Sequence, residues 1–175
     1  MVTAINTRPS TAQVWAWLEE VPDPEIPAIS VVDLGIVRAV AWNDMADGAE
    51  CVVTITPTYS GCPAMHVIAQ GIESALKAHG IAHVKLDTQL SPAWTTDWMS
   101  AAGRQKLKGY GIAPPAQQAI DISGLSRRNR AVPVVTCPHC GSSHTRCTSQ
   151  FGSTPCKALY QCLDCSEPFD YFKCH

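Results

Sequence analysis

Two cysteine pairs carry the clearest chemistry in the chain. Cys137-Pro138-His139-Cys140-Gly141 and Cys162-Leu163-Asp164-Cys165 are CxxC units with twenty-one residues between them. Two residues between thiolates let both sulfurs face one ion while intervening N–H groups point at them, and Gly141 suits the left-handed turn that closes such a knuckle. Two knuckles complete a tetrahedron, and the spacer is long enough for a hairpin. The pattern predicts a structural zinc site on Cys137, Cys140, Cys162 and Cys165. Zinc is expected rather than an iron–sulfur cluster, because paired knuckles on a hairpin are the usual zinc geometry. Plain structural cysteines or a redox pair are the competing readings.

Seven of the nine cysteines lie after residue 136. Cys147 is expected as a buried small apolar residue. Cys156 and Cys174 lie close to the second knuckle and stay open between burial and service as additional thiolates, even in place of a predicted ligand. A separate thiol, Cys62, sits in Ser60-Gly61-Cys62-Pro63 between a strand and a helix start. The partial positive charge there favours thiolate; a buried helix-start cysteine is the alternative. Asp23, Glu25 and Asp33 flank the first strand region, where all three converge on the same edge or Asp23 and Asp33 act simply as turn or cap residues. His66, one turn into the helix, reads as packed or exposed rather than as a ligand. Neither a Ser/His/Asp set, a phosphate loop, a helical Glu-x-x-His pair nor a flavin or coenzyme A motif is present, so no catalytic residue is expected.

The elements that must position these groups follow from apolar spacing. Ser10–Glu20 reads as a helix capped by Ser10 or Thr11 and stopped at Val21-Pro22-Asp23-Pro24. Ile36–Trp42 is a β-branched strand, Asn43–Gly48 a polar turn and Cys51–Thr56 its antiparallel partner. Pro63 opens a helix with the stripe Met65, Ile68, Ile72, Ala75 and Leu76, ended by Gly80. Ile81–Leu90 is a third strand, and a last helix runs from Thr95 or Thr96 to about Lys108. Residues 109–132 read as a linker, with the basic run Arg127-Arg128-Asn129-Arg130. Short strands at Val132–Thr136, His144–Gln150, Lys157–Gln161 and Pro168–Phe172 would complete the metal module. The expected organisation is an α+β domain over 1–108, the linker, and a β-rich zinc ribbon over 133–175.

Bulk properties narrow the function classes. The 175 residues are 46% hydrophobic and 16% charged with a net charge of −2, which fits a globular chain without a field for nucleic acid or anionic membrane. From Ala131 onward Arg146, Lys157 and Lys173 are balanced by Asp164, Glu167 and Asp170, so a phosphate-reading face is not expected. The aromatic cluster Tyr160, Phe169, Tyr171 and Phe172 is expected in the core or at a protein contact. No apolar stretch is long enough to cross a bilayer. Met1–Pro9 lacks the apolar run of a secretory signal, so nine thiols imply the reducing cytoplasm.

Asp23-Pro24-Glu25-Ile26-Pro27, then Val32-Asp33-Leu34-Gly35-Ile36-Val37, then Thr54-x-Thr56 with Gly61-Cys62-Pro63 resemble the MIP18 (DUF59) family over residues 10–108. The resemblance implies the small helix-packed sheet of that family and a role in iron–sulfur cluster assembly. Cys62 would then handle a transient cluster, with Asp23, Glu25 and Asp33 shaping its site. The tail, Phe151–Tyr160 and Glu167–His175, is similar to the D-subunit family of bacterial phenylacetyl-CoA epoxidases. That resemblance implies a non-catalytic accessory subunit of a multicomponent di-iron monooxygenase in aerobic phenylacetate degradation. Its partners would be the other epoxidase subunits, above all the iron–sulfur reductase component, with a homo-oligomer left open. A purely structural docking subunit without cluster transfer is the alternative.

Overall fold

A computed structural model describes residues 8–46, 48–115 and 134–173, and its packing divides the chain into two units. The first runs to Trp94 and includes Trp98–Ser100; the second takes Thr95–Asp97 and the chain from Ala101.

In the first unit, helix α1 (Thr11–Leu18) begins at a reciprocal cap. The Gln13 N–H donates to the Ser10 hydroxyl, and the Ser10 N–H donates to the Gln13 side chain at 2.9 Å. Val14 and Leu18 are buried, and Trp17 stacks on His79 with ring centroids 4.3 Å apart. Strand β1 (Val37–Met45) pairs antiparallel with β2 (Gly48–Ile55), which pairs parallel with β3 (His83–Thr88). The hairpin is longer than expected, since Asn43, Asp44 and Met45 pair with Glu50, Ala49 and Gly48 instead of turning. Polar composition there reports an exposed strand end, which looks like a turn in sequence.

A parallel partner cannot be reached by a hairpin, so α2 (Met65–Ala78) makes the crossover from β2 to β3. Ile68, Ile72 and Leu76 form its buried stripe, with Met65 and Ala75 half-buried beside them. The helix ends as Gly80 takes φ +86 and the N–H groups of Gly80 and Ile81 close on Lys77 and Leu76.

The expected last helix is broken in two. A 3-10 turn at Thr96–Trp98 precedes α3 (Ala101–Gly109), because Ser100 is drawn away to Asp33. The Ser100 N–H donates to the Asp33 carbonyl at 2.9 Å and its hydroxyl to the Asp33 carboxylate at 2.6 Å. Trp94 Nε1 donates to the Leu34 carbonyl at 2.9 Å, and Gly35 at φ +70 lets the Trp98 carbonyl approach where a Cβ would sit.

The second unit is a four-stranded sheet in the order β4-β7-β6-β5, with β4 at Ile112–Ala113, β5 at Thr145–Ser149, β6 at Lys157–Cys162 and β7 at Pro168–Phe172. Three of these match expected strands closely. β4 falls in the stretch read as linker, yet it pairs parallel with β7. The expected strand at Val132–Thr136 is not one over its described part: Val135 buries its side chain, and its carbonyl accepts from the Thr145 hydroxyl at 2.7 Å. The core gathers Ala113, Val135, Ala158, Tyr160, Phe169 and Tyr171 around Cys137 and Cys162. Tyr160, Phe169, Tyr171 and Phe172 are all buried, so these rings serve the core and do not present a base-stacking face.

Because Ile72 is fully buried on the inner face of α2, Ile72→Ala should cost about 2–5 kcal/mol in urea unfolding of the first unit. A loss below about 1 kcal/mol would contradict this packing.

Candidate thiol site and metal centre

Cys62 lies in the loop from β2 to α2, three residues before the first helical residue. Its N–H donates to the Tyr59 carbonyl at 3.2 Å and its carbonyl accepts from the Met65 N–H at 3.4 Å, which fixes the turn. The thiol is half-buried. Burial pushes it above the ordinary cysteine range, and the carboxylates of Glu25 and Asp23 act in the same direction. The Ala64 N–H and the Tyr59 hydroxyl pull the other way and lose. The thiolate expected from a helix start is therefore not the resting form, because desolvation and two negative charges outweigh both of these groups.

The three acidic residues divide. Asp23 is buried, and its Oδ1 accepts from the N–H groups of Glu25 and Ile26 at 2.9 and 2.8 Å. It thereby shapes the turn that carries Glu25, which is the turn role. Asp33 ties loops instead: besides Ser100, it accepts from the Ser30 N–H at 3.5 Å, while its own N–H donates to the Ser30 hydroxyl at 3.0 Å. His66 is exposed. Tyr59 was not a candidate from sequence, although its place three residues before Cys62 is where a turn returns a side chain to the thiol. A soft sulfur in the field of two carboxylates is unfavourable as a bare thiolate and favourable around a cation.

In the second unit the sulfurs of Cys137, Cys140, Cys162 and Cys165 all lie within 4.8 Å of one another. Cys137 Sγ and Cys165 Sγ are 3.8 Å apart, and Cys140 Sγ and Cys162 Sγ 3.5 Å. A tetrahedral ion with bonds of ~2.3 Å spaces its sulfurs by ~3.8 Å, whereas a disulfide needs ~2.05 Å. The four residues therefore fit one ion and are not disulfides.

Backbone geometry prepares them. The N–H groups of Cys165 and Asp164 point at Cys162 Sγ and draw that thiol down to about 7. The Ser142 N–H points at Cys140 Sγ and the Glu167 N–H at Cys165 Sγ. Gly141 at φ +78 and Ser166 at φ 65 turn the chain so that these donors face inward. An ion held here would supply cross-linking free energy, with no coordination position left for a substrate.

The spare cysteines fall elsewhere. Cys156 is outside the group of four, buried, with its sulfur 3.0 Å from the Thr154 hydroxyl. Cys147 is half-buried against the ribbon core. Cys174 lies outside the described residues.

Two outcomes follow. Cys62 should alkylate slowly with iodoacetamide until pH rises past the ordinary thiol range of ~8.5, and Glu25→Gln should shift that profile to lower pH, since a removed negative charge eases thiolate formation. An unshifted profile would contradict the assigned electrostatics. Stripping the ion from the ribbon should unfold residues 134–173 in amide NMR spectra while β1–β3 resonances persist, because metal binding at such sites is worth ~10 kcal/mol or more of folding free energy. A ribbon that keeps its dispersion without metal would refute that dependence.

Residues 11–85 match the family "Iron-sulfur cluster assembly protein", and residues 123–173 match "PaaD zinc beta ribbon domain". A protein of Escherichia coli (strain K12), provisionally described as the D component of a 1,2-phenylacetyl-CoA epoxidase, is 48% identical over 166 residues, 95% of this chain and 94% of its own. The Fe-S protein maturation auxiliary factor YitW of Bacillus subtilis (strain 168) is 37% identical over 87 residues, 47% of this chain and 78% of its own. Among solved structures, a DUF59 domain from Bacillus anthracis is 26% identical, covering 55% of this chain and 89% of that one at a TM-score of 0.49. The chain therefore belongs to the family of 1,2-phenylacetyl-CoA epoxidase D subunits, in which an iron–sulfur cluster assembly domain is joined to a zinc β-ribbon.

Proposed function

We propose that this chain is an accessory subunit of a multicomponent phenylacetyl-CoA epoxidase that assembles or delivers an iron–sulfur or other metal centre, with Cys62 as the transient ligand. The observation that carries the reading is the half-buried Cys62 sulfur in the loop from β2 to α2, in the electrostatic reach of Glu25 and Asp23. A cation entering there would neutralise the carboxylates, displace the thiol proton and gain a thiolate ligand in one step. When the cation leaves, reprotonation closes the site, which suits a ligand that must release its cargo. Asp33 supports the site at a distance through Ser30 and Ser100.

The ribbon takes the other half of the role. Its ion is zinc, held by Cys137, Cys140, Cys162 and Cys165, and it acts as a folding unit and docking surface for the other epoxidase subunits, above all the iron–sulfur reductase component. The closed four-sulfur site also favours a second reading, a structural docking subunit without cluster transfer. The working compartment is the cytoplasm; among the described residues no helix is long and apolar enough to cross a membrane.

Zinc and iron are to be measured together in protein purified without oxygen, for the native chain and Cys62→Ser. One zinc in both, with iron and epoxidase maturation lost only in Cys62→Ser, is the expected result. One zinc with no iron in either, and unchanged maturation, would favour the docking reading and remove cluster transfer.

A further inference from the structure

The two knuckles touch through more than their sulfurs. Asp164 stands between Cys162 and Cys165, and its carboxylate reaches back across the site to the residues that follow Cys140. The Ser142 hydroxyl donates to Asp164 Oδ2 at 2.5 Å, and His144 Nδ1 lies 3.0 Å from Asp164 Oδ1. The Ser142 hydroxyl also accepts from the His144 N–H at 2.9 Å, and the Leu163 N–H donates to the His144 carbonyl at 2.8 Å. One carboxylate thus gathers two side chains from the opposite knuckle.

The backbone of the same residues is what faces the metal site. The Asp164 N–H points at Cys162 Sγ and the Ser142 N–H at Cys140 Sγ. A side-chain bond between Ser142 and Asp164 therefore holds two sulfur-directed donors in register, one from each knuckle. None of these three side chains is a ligand, and none belongs to the buried core of the ribbon.

We propose that Ser142, His144 and Asp164 form a clamp across the two knuckles that sets how slowly the ribbon releases its ion. They are positioning residues, acting on the ion through the orientation of Cys140 and Cys162. The inference rests on the reading that the four cysteines hold one ion. An ion leaves such a site only when one knuckle swings away from the other, and every bond of the clamp must break for that to happen. Each bond lies near the surface and is weak singly; bonds that converge on one carboxylate break together. Outer partners of metal sites commonly shift metal affinity by about ten- to a hundredfold, and here the effect falls on the dissociation rate.

The test uses the full chain loaded with zinc and a chromogenic chelator in excess, reading the rate of zinc release. Asp164→Ala should release zinc about tenfold faster or more, Asp164→Asn and Ser142→Ala by a smaller factor. The double variant Ser142→Ala/Asp164→Ala should be no faster than Asp164→Ala alone, because both residues serve one clamp. Lys173→Gln, which removes a ribbon charge outside the clamp, should leave the rate unchanged. Cobalt-loaded variants should keep a tetrahedral thiolate spectrum, which separates faster exchange from a damaged site. Native release rates in Asp164→Ala, or effects of the two substitutions that multiply in the double variant, would overturn the clamp. Should Asp164→Ala fail to fold, Asp164→Asn and Ser142→Ala decide the matter by the same rates. A native chain that takes up neither zinc nor cobalt would instead sink the metal reading beneath it.

Discussion

Placing β3 parallel to β2 imposes a crossover, and the rest of the first unit depends on it. A hairpin returns antiparallel, so the chain must leave the carboxyl end of β2, cover one face of the sheet with a helix and come back. The stripe Ile68, Ile72 and Leu76 makes that helix worth forming, because its burial offsets the entropy of ordering the connection. The loop that carries Cys62 is a by-product of this geometry. It has to sit at the strand end, just ahead of α2, where unpaired N–H groups collect.

What surrounds that loop decides its chemistry. A helix start alone would favour thiolate, and from sequence that is the only visible influence. The structure adds partial burial first, and then the negative charges of Glu25 and Asp23. The sum reverses the sign of the expected shift.

The ribbon solves a different problem. Its core is thin, with Cys137 and Cys162 themselves among the eight residues at its centre, so apolar burial cannot hold it alone. Four sulfurs at single-ion spacing supply the missing constraint. The register of β5 against β6, which sets Thr145 opposite Cys162, brings knuckles from distant parts of the chain together. The two sites divide the labour of cysteine: four converge into a closed set, and one is left half-open.

The CxxC pairs, the buried stripe of α2, the capped start of α1 and three ribbon strands were legible in the sequence because each is a local pattern. Knuckle spacing, helical period and capping chemistry need only neighbours within a few residues. The sequence also carried the family resemblance, through motifs around Asp23, Asp33 and Cys62 that proved to lie close to the fold's turns. It misread whatever depends on partners far along the chain. Asn43–Met45 looked like a turn because polar residues mark exposure, and exposure is shared by turns and strand ends. Ile112–Ala113 looked like a linker because two residues of a strand show no period until β7 lies beside them. The helix break at Ser100 awaited Asp33, sixty-seven residues away, and the protonation of Cys62 awaited its burial and, after that, Glu25. Which residues could do chemistry was written locally; which charges and bonds act on them was decided only by folding, since electrostatics and hydrogen bonding depend on distance in space and not along the chain.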